Sequence, residues 1–224
     1  MSSKSRITLS LNMLLNFVKK NNEIILDFNK IVVDDQTGDI SWARYQPGIM
    51  SGRTYTEEHR FLLNNGQYSI LFVDQSFIQL YYSFDNDGEV TKARLAYYPT
   101  PYDYNFIEFT EQEIDEYLSS GITFEEIFDG VPAKHGTHLR IDYDGNVKTH
   151  AKTHLQFSAI NSLRIDLEYC LLPAAFYNFV VENFFPDEHK TISIKADYTN
   201  LIGHAANNKI RQTDMRPSFF ITSR

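Results

Sequence analysis

One cysteine, one tryptophan and no apolar run long enough to span a bilayer are the first limits that this 224-residue sequence sets. Cys170 has no second cysteine to pair with and no neighbour at zinc-ligand spacing, and it lies in the apolar run Tyr169-Cys170-Leu171-Leu172. It therefore reads as a core residue, and a reducing cytoplasm is the expected setting. A membrane span needs about 18–20 consecutive apolar residues, and the polar start MSSKSRITLS lacks the hydrophobic centre of a signal peptide. Neither export nor a membrane span is expected. The sequence also lacks a glycine-rich phosphate loop and any Ser/His/Asp nucleophile motif. Basic residues are in deficit, 21 against 29 acidic, for a formal charge of −8. That balance excludes a general basic surface for coating nucleic acid, although nucleic acid could still be met locally. The acidity is itself local: residues 103–129 hold nine acids and no base, so the rest of the chain carries 21 bases against 20 acids.

Aromatic residues are plentiful, with 17 Phe and 14 Tyr, and these suit sheet faces better than a helical bundle. Residues 24–33 read as a strand, 34–39 as a polar turn and 40–42 as a second strand, followed by a loop over 46–55. Residues 68–73, 77–84 and 90–98 read as a meander whose last two strands are joined by Asp85-Asn86-Asp87-Gly88, a hairpin turn rather than a calcium loop. Alternation predicts a further strand around Leu163, Ile165 and Leu167. Helical spacing of Leu11, Leu14, Leu15 and Val18 predicts a helix over 9–20, capped by Thr8 or Ser10. Pro173, with Phe176, Phe179, Val180 and Phe184, predicts a second helix that ends at Pro186, before a short strand over 191–194. Thr110 with Glu113, and Thr123 with Glu126, fit capping boxes of two acidic helices. The expectation is one α+β domain over 1–224: a curved, mostly antiparallel sheet with a few flanking helices and an unassigned C-terminal extension, 186–224.

Four of the seven histidines fall within residues 134–157, KHGTHLRIDYDGNVKTHAKTHLQF. With a period of two, His138, Arg140, Asp142 and Asp144 share one strand face, and His150, Lys152, His154 and Gln156 share a face of the next. An odd-numbered connection such as Asp144-Gly145-Asn146 would bring the stripes together, with Arg140 opposite His150 and Asp142 opposite Lys148. A histidine oriented by a carboxylate beside a cation is the minimum for metal-free acid–base chemistry on an anionic substrate. His150 and His154, with Asp142 or Asp144, are also metal-ligand types, but on a straight strand the two histidines stand ~13 Å apart and cannot share one ion. No cofactor or metal is assigned from the sequence. The bland alternative is a salt-bridged stripe that sets strand register or meets a protein partner.

The strand HLRIDYD, the element HAKTHLQF, the preceding QSFIQLYYSFD and ARLAYYPTP, and the following LPAAFYNFVVENFF together resemble an uncharacterised bacterial family catalogued as DUF 2290, over about 24–185. The family pattern, an Arg-x-Asp-Tyr-Asp strand and then His-Pro-x-Ser-His-Leu-His, falls on Arg140, Asp142, Tyr143, Asp144, His150, His154 and Leu155. Ala151, Thr153 and Gln156 depart from it, and the loss at Gln156 removes a third histidine. The resemblance implies a place among phage-defence and toxin–antitoxin clusters and names no activity.

Two expectations follow. The first is a hydrolase or nuclease-like effector that uses His138, Arg140, Asp142, Asp144, His150 and His154. The second is a non-catalytic subunit or sensor that binds a protein partner or a second copy of the chain. Side chains converging in an open cleft favour the enzyme, and a stripe satisfied internally or buried under a helix favours the binding protein.

Overall fold

The computed structural model describes residues 1–21, 23–46, 53–102, 113, 116–117, 119–122, 126, 134–148, 151–158 and 160–211, the side chains of 160–162 excepted. The fold is α+β, built on a mostly antiparallel sheet that does not close into a barrel. Its strands are β1 (Ile25–Phe28), β2 (Ile31–Val33), β3 (Ile40–Trp42), β4 (Ile70–Phe72), β5 (Phe77–Phe84), β6 (Val90–Tyr98), β7 (Leu139–Asp144), β8 (Thr153–Phe157) and β9 (Ile160–Leu167). The order is β1-β4-β5-β6-β7-β8-β9, with β3 bridging β2 to the far end of β5. A separate two-stranded ribbon joins β10 (Tyr169–Cys170) to β11 (Ile210–Arg211).

The β5–β6 hairpin is the predicted one. Gly88 adopts φ +77°, and the Asp85 carboxylate accepts the N–H groups of Asp87 and Glu89 at 3.0 and 2.8 Å. Alternation then divides the strands between two faces. Ile78, Leu80 and Tyr82 of β5, Leu95 and Tyr97 of β6, and Leu139 and Ile141 of β7 all point into the main core. Three helices cover that face: α1 (Ser3–Lys20), α3 (Pro173–Phe184) and α5 (Ala196–Asn207), with α4 (Pro186–Ser193) between the last two. The Phe17 ring of α1 packs on Tyr177 of α3 and Tyr198 of α5, and Ser10 Oγ accepts the Ala174 N–H at 3.2 Å. None of the helices is long and apolar enough to cross a membrane, among the described residues.

Several boundaries differ from the sequence reading. Helix α1 begins six residues earlier than expected and is capped by Ser2, whose hydroxyl accepts the Ser5 N–H, while Ser10 is buried at a helix contact instead. Residues 24–33 break into β1 and β2 at Asn29-Lys30. Helix α3 ends at Phe184, just before Pro186 as expected, but residues 191–194 are not a strand: Pro186 also opens α4, since proline is tolerated at a first helical position. Of that β-branched run only Ile192 is buried, and Ile194 is 84% exposed. Helix α5 and helix α2 (Tyr55–Asn64) were not anticipated. Helix α2 begins where a loop was expected, with a full capping box in which Thr54 Oγ1 accepts the Glu57 N–H and Glu57 Oε2 accepts the Thr54 N–H at 2.7 Å. It lies on the sheet face away from α1, where Tyr55, Leu62 and Leu63 pack on Tyr68, Leu71, Phe77, Ala96 and Tyr98. The two acidic capping boxes, at Thr110 and Thr123, lie outside the described residues, as do 212–224.

Candidate functional site

The face that carries α2 also carries the polar stripes. Antiparallel register aligns Tyr81 of β5, Arg94 of β6, Asp142 of β7, His154 of β8 and Asp166 of β9 in one row across five strands. The adjacent row runs Gln79, Ala96, Arg140 and Gln156. The two histidine-rich stripes therefore do meet, but not in the anticipated register: Asp142 faces His154 rather than Lys148, and Arg140 faces Gln156 rather than His150. The connection is longer than three residues. Asp144 N–H bonds Lys152 C=O at 2.8 Å, so the chain needs residues 145–151 to turn.

Asp142 is the hub. Its Oδ2 accepts Arg140 Nε at 2.9 Å and Gln156 Nε2 at 2.7 Å, and its Oδ1 lies 3.5 Å from Arg94 Nε. The Asp142 side chain keeps 18% of its surface exposed and that of Arg94 43%. Because a guanidinium has five N–H donors, Arg94 retains capacity for a second acceptor after meeting Asp142. His154 is buried between Asp142 and Asp166 in the row. Asp144 leaves the cluster for the turn, where its Oδ1 accepts the Asn146 N–H at 2.9 Å. His150 lies outside the described residues.

His138 precedes β7 and is only 7% exposed. Its ring packs 4.4 Å from that of Tyr98, and its Nδ1 lies 3.8 Å from Glu58 Oε2, which α2 brings across the sheet. Tyr98 Oη donates to the other Glu58 oxygen at 3.3 Å. Burial, followed by the positive charges of Arg140 and Arg94, pushes the His138 imidazole down to about 4. Burial also raises the Glu58 carboxyl, against the opposing effects of the Tyr98 hydrogen bond and Arg140. Tyr98 is raised by burial and then by Glu58. Cys170 behaves as the sequence suggests: it is buried, and burial pushes its thiol up to about 12.

Between α2 and the sheet these groups line a cleft of about 50 Å³, room for a few waters or one small polar group. Arg94, Arg140, His138 and Glu58 supply its ionisable wall, and Trp42, Tyr45, Tyr81 and Tyr98 supply its aromatic wall. The Tyr45 and Tyr81 rings stack at 4.9 Å, and Tyr45 also meets Trp42 edge to face. Among the described residues, no three His, Cys, Asp or Glu side chains are grouped to hold a metal ion. Sequence reasoning singled out Arg140, Asp142, His138 and His154 but missed Glu58 and Arg94. Glu58 follows the capping box that opens α2, and Arg94 is an alternate, polar-face residue of a strand that was itself recognised.

Residues 24–221 match the model of a family described as Uncharacterized conserved protein (DUF2290), extending beyond the 24–185 likeness seen in the sequence through α4, α5 and β11. No curated protein and no solved structure matches the chain.

Proposed function

We propose that this protein, which belongs to the DUF2290 family of uncharacterised conserved proteins, is a recognition subunit or sensor rather than a hydrolase. Its cleft receives a carboxylate carried by a protein partner. The observation that carries this reading is the state of the ionisable wall. A general base works best with a pKa near the working pH, and His138 is held near 4. Arg140 is engaged by Asp142, and among the described cleft residues there is no serine, threonine, cysteine or lysine to act as a nucleophile. What remains available is a partly exposed arginine beside stacked aromatic rings, a pairing suited to gripping a planar anion. The small cleft suits a single side-chain carboxylate better than a nucleic-acid backbone. In the phage-defence or toxin–antitoxin setting that the family resemblance implies, this is the partner-binding role.

The hydrolase reading keeps one supporting observation, the His138–Glu58 pair beside two arginines. Trp42, the only tryptophan, lines the cleft and reports on both readings. Titration with a glutamate-rich peptide should change its fluorescence saturably in the wild type and not in Arg94→Gln. Parallel incubation with single- and double-stranded DNA and RNA should leave the nucleic acid intact. Cleavage that His138→Ala abolishes at unchanged melting temperature, or a flat fluorescence titration, would overturn the recognition reading.

A further inference from the structure

On the α1 side of the sheet, away from the cleft, a groove of about 490 Å³ runs between α1 and the first three strands. Helix α1 packs most closely on α3 and α5, and its other flank faces this opening. Thr8, Leu11, Leu15 and Lys19 line the groove from the helix, at steps of three and four residues that keep them on one face. At a rise of about 1.5 Å per residue, that face is about 16 Å long. Phe28, Lys30, Ile31, Val33 and Ile40 line the groove from the strands. Its floor is apolar, since Leu11 and Ile40 are buried and Leu15, Phe28 and Ile31 pack half-buried against the core. Val33 is 48% exposed on the wall.

The groove has a charged end and an apolar end. Lys19 Nζ lies 5.8 Å from the centre of the Phe28 ring, and Lys30 follows Phe28 by two residues, about 6.6 Å along an extended chain. Both ammonium groups therefore gather at the end of α1. Towards its start, where Lys4 lies against Gly38, the walls are Val33 and its cross-strand partner Ile40. Neither Lys19 nor Lys30 forms a salt bridge among the described residues, and no described acid lines the groove. The nearby carboxylates are engaged elsewhere: Asp27 accepts the Tyr68 hydroxyl, Asp34 accepts N–H groups of its own turn, and Asp39 accepts the Tyr81 hydroxyl. We infer that this groove binds a fatty acid, whose carboxylate meets Lys19 and Lys30 and whose extended tail lies along Leu15, Leu11, Ile31 and Val33 towards Ile40. Small-molecule sites typically enclose about 300–1,000 Å³ and combine an apolar lining with a few polar groups. A partner helix as long as the face and about 10 Å across needs about 1,200 Å³, more than twice the space. The site is separate from the cleft and does not rest on the role proposed for it.

The polarity of the groove makes the test specific. Calorimetric titration with laurate, kept below its micelle concentration, should show saturable binding to the wild type. Dodecanol, which has the same tail and no charge, should bind about tenfold more weakly, and octanoate, with a shorter tail, about a hundredfold more weakly. Lys19→Gln combined with Lys30→Gln should weaken laurate about tenfold or more and leave dodecanol unchanged. Asn12→Trp, at an exposed lining position of α1, should fill the groove and remove binding of both. All three substituted positions are exposed, and unchanged melting temperatures show that the variants fold. A glutamate-rich peptide should not displace laurate, because the cleft is a different site. No laurate binding by the wild type, equal binding by the variants, or displacement by the peptide would overturn the inference. Sedimentation with anionic vesicles in the absence of laurate binding would overturn it in favour of a membrane surface.

Discussion

The two faces of the sheet are written by alternate residues of the same strands, yet they do different work. Leu80, Leu95 and Ile141 lie on the face covered by α1, α3 and α5, where nearly every side chain is apolar and buried. Tyr81, Arg94 and Asp142, each one step along, lie on a face that α2 covers only at one end, and there the side chains are charged, aromatic and partly wet. Close packing specifies the fold on the first face. On the second, Asp142 holds two arginines in place around a cleft, and such a network costs stability when it is broken but adds little beyond what an apolar face would give. The comparison shows that α2, with its small cluster, places the site, whereas the three-helix layer makes the platform.

Breaking the apolar face should give the largest effect. Leu95→Ala leaves a cavity under the helices and should lower unfolding free energy by about 2–5 kcal/mol in urea titrations, with Trp42 fluorescence still reporting a cooperative transition. Acid should act next, and on the other face. His138 ionises near 4 when folded and near 6.5 when unfolded, so between those values the unfolded chain binds a proton that the folded chain refuses. Stability should therefore fall as pH drops from about 6.5 to about 4, by on the order of a few kcal/mol. His59, pushed by burial to about 3, acts in the same direction, while the raised carboxyl of Glu58 opposes both. Melting curves at pH 7 and pH 5 should show the drop, and His138→Gln should shrink it; a wild-type melting temperature that rises on acidification contradicts the buried neutral imidazole.

Asp142→Ala should cost about 1.5–3 kcal/mol, because Arg140 and Gln156 lose a charged acceptor. If Asp142→Asn and His154→Ala lower stability and cellular activity together, the stripe acts as a scaffold; loss of activity at an unchanged melting temperature would instead restore the enzyme reading. The smallest effect belongs to the helix that distinguishes the second face. Thr54→Ala removes one half of a capping box and should cost about 1 kcal/mol, yet it should weaken peptide binding in the cleft, because Glu58 is four residues along the same helix.

The legible parts of the fold were those set by local rules. The 77–84 and 90–98 strands match β5 and β6 because alternation and an Asp-Asn-Asp-Gly turn act within a few residues. Helix α2 went unread, with only its first residue, Tyr55, assigned and that to a loop, although Thr54-x-x-Glu57 is the same motif credited at Thr110 and Thr123. Its stripe mixes His59 with leucines, and the hydrophobic period is weak. The residues 191–194 misled because β-branched propensity yields to the proline-started helix before them. In the site, the shared face of Arg140 and Asp142 followed from their spacing. The partner of His138 did not, because Glu58 lies eighty residues away in sequence and only packing of α2 on the sheet joins them. Which residue faces Asp142 depended on a loop length that alternation does not specify.

The first helix is completed by the last part of the described fold. Ile7, Leu11, Leu14, Phe17 and Val18 are covered largely by α3 and α5, and Arg6 Nη1 bonds the Lys209 carbonyl across 203 residues of chain. At about 5–20 residues per second, synthesis leaves roughly 10–40 s between the emergence of α1 and that of its final neighbour. During that interval the ribosome carries an amphipathic helix whose apolar side lacks its helical neighbours, so translation speed and the availability of holding chaperones become determinants of yield.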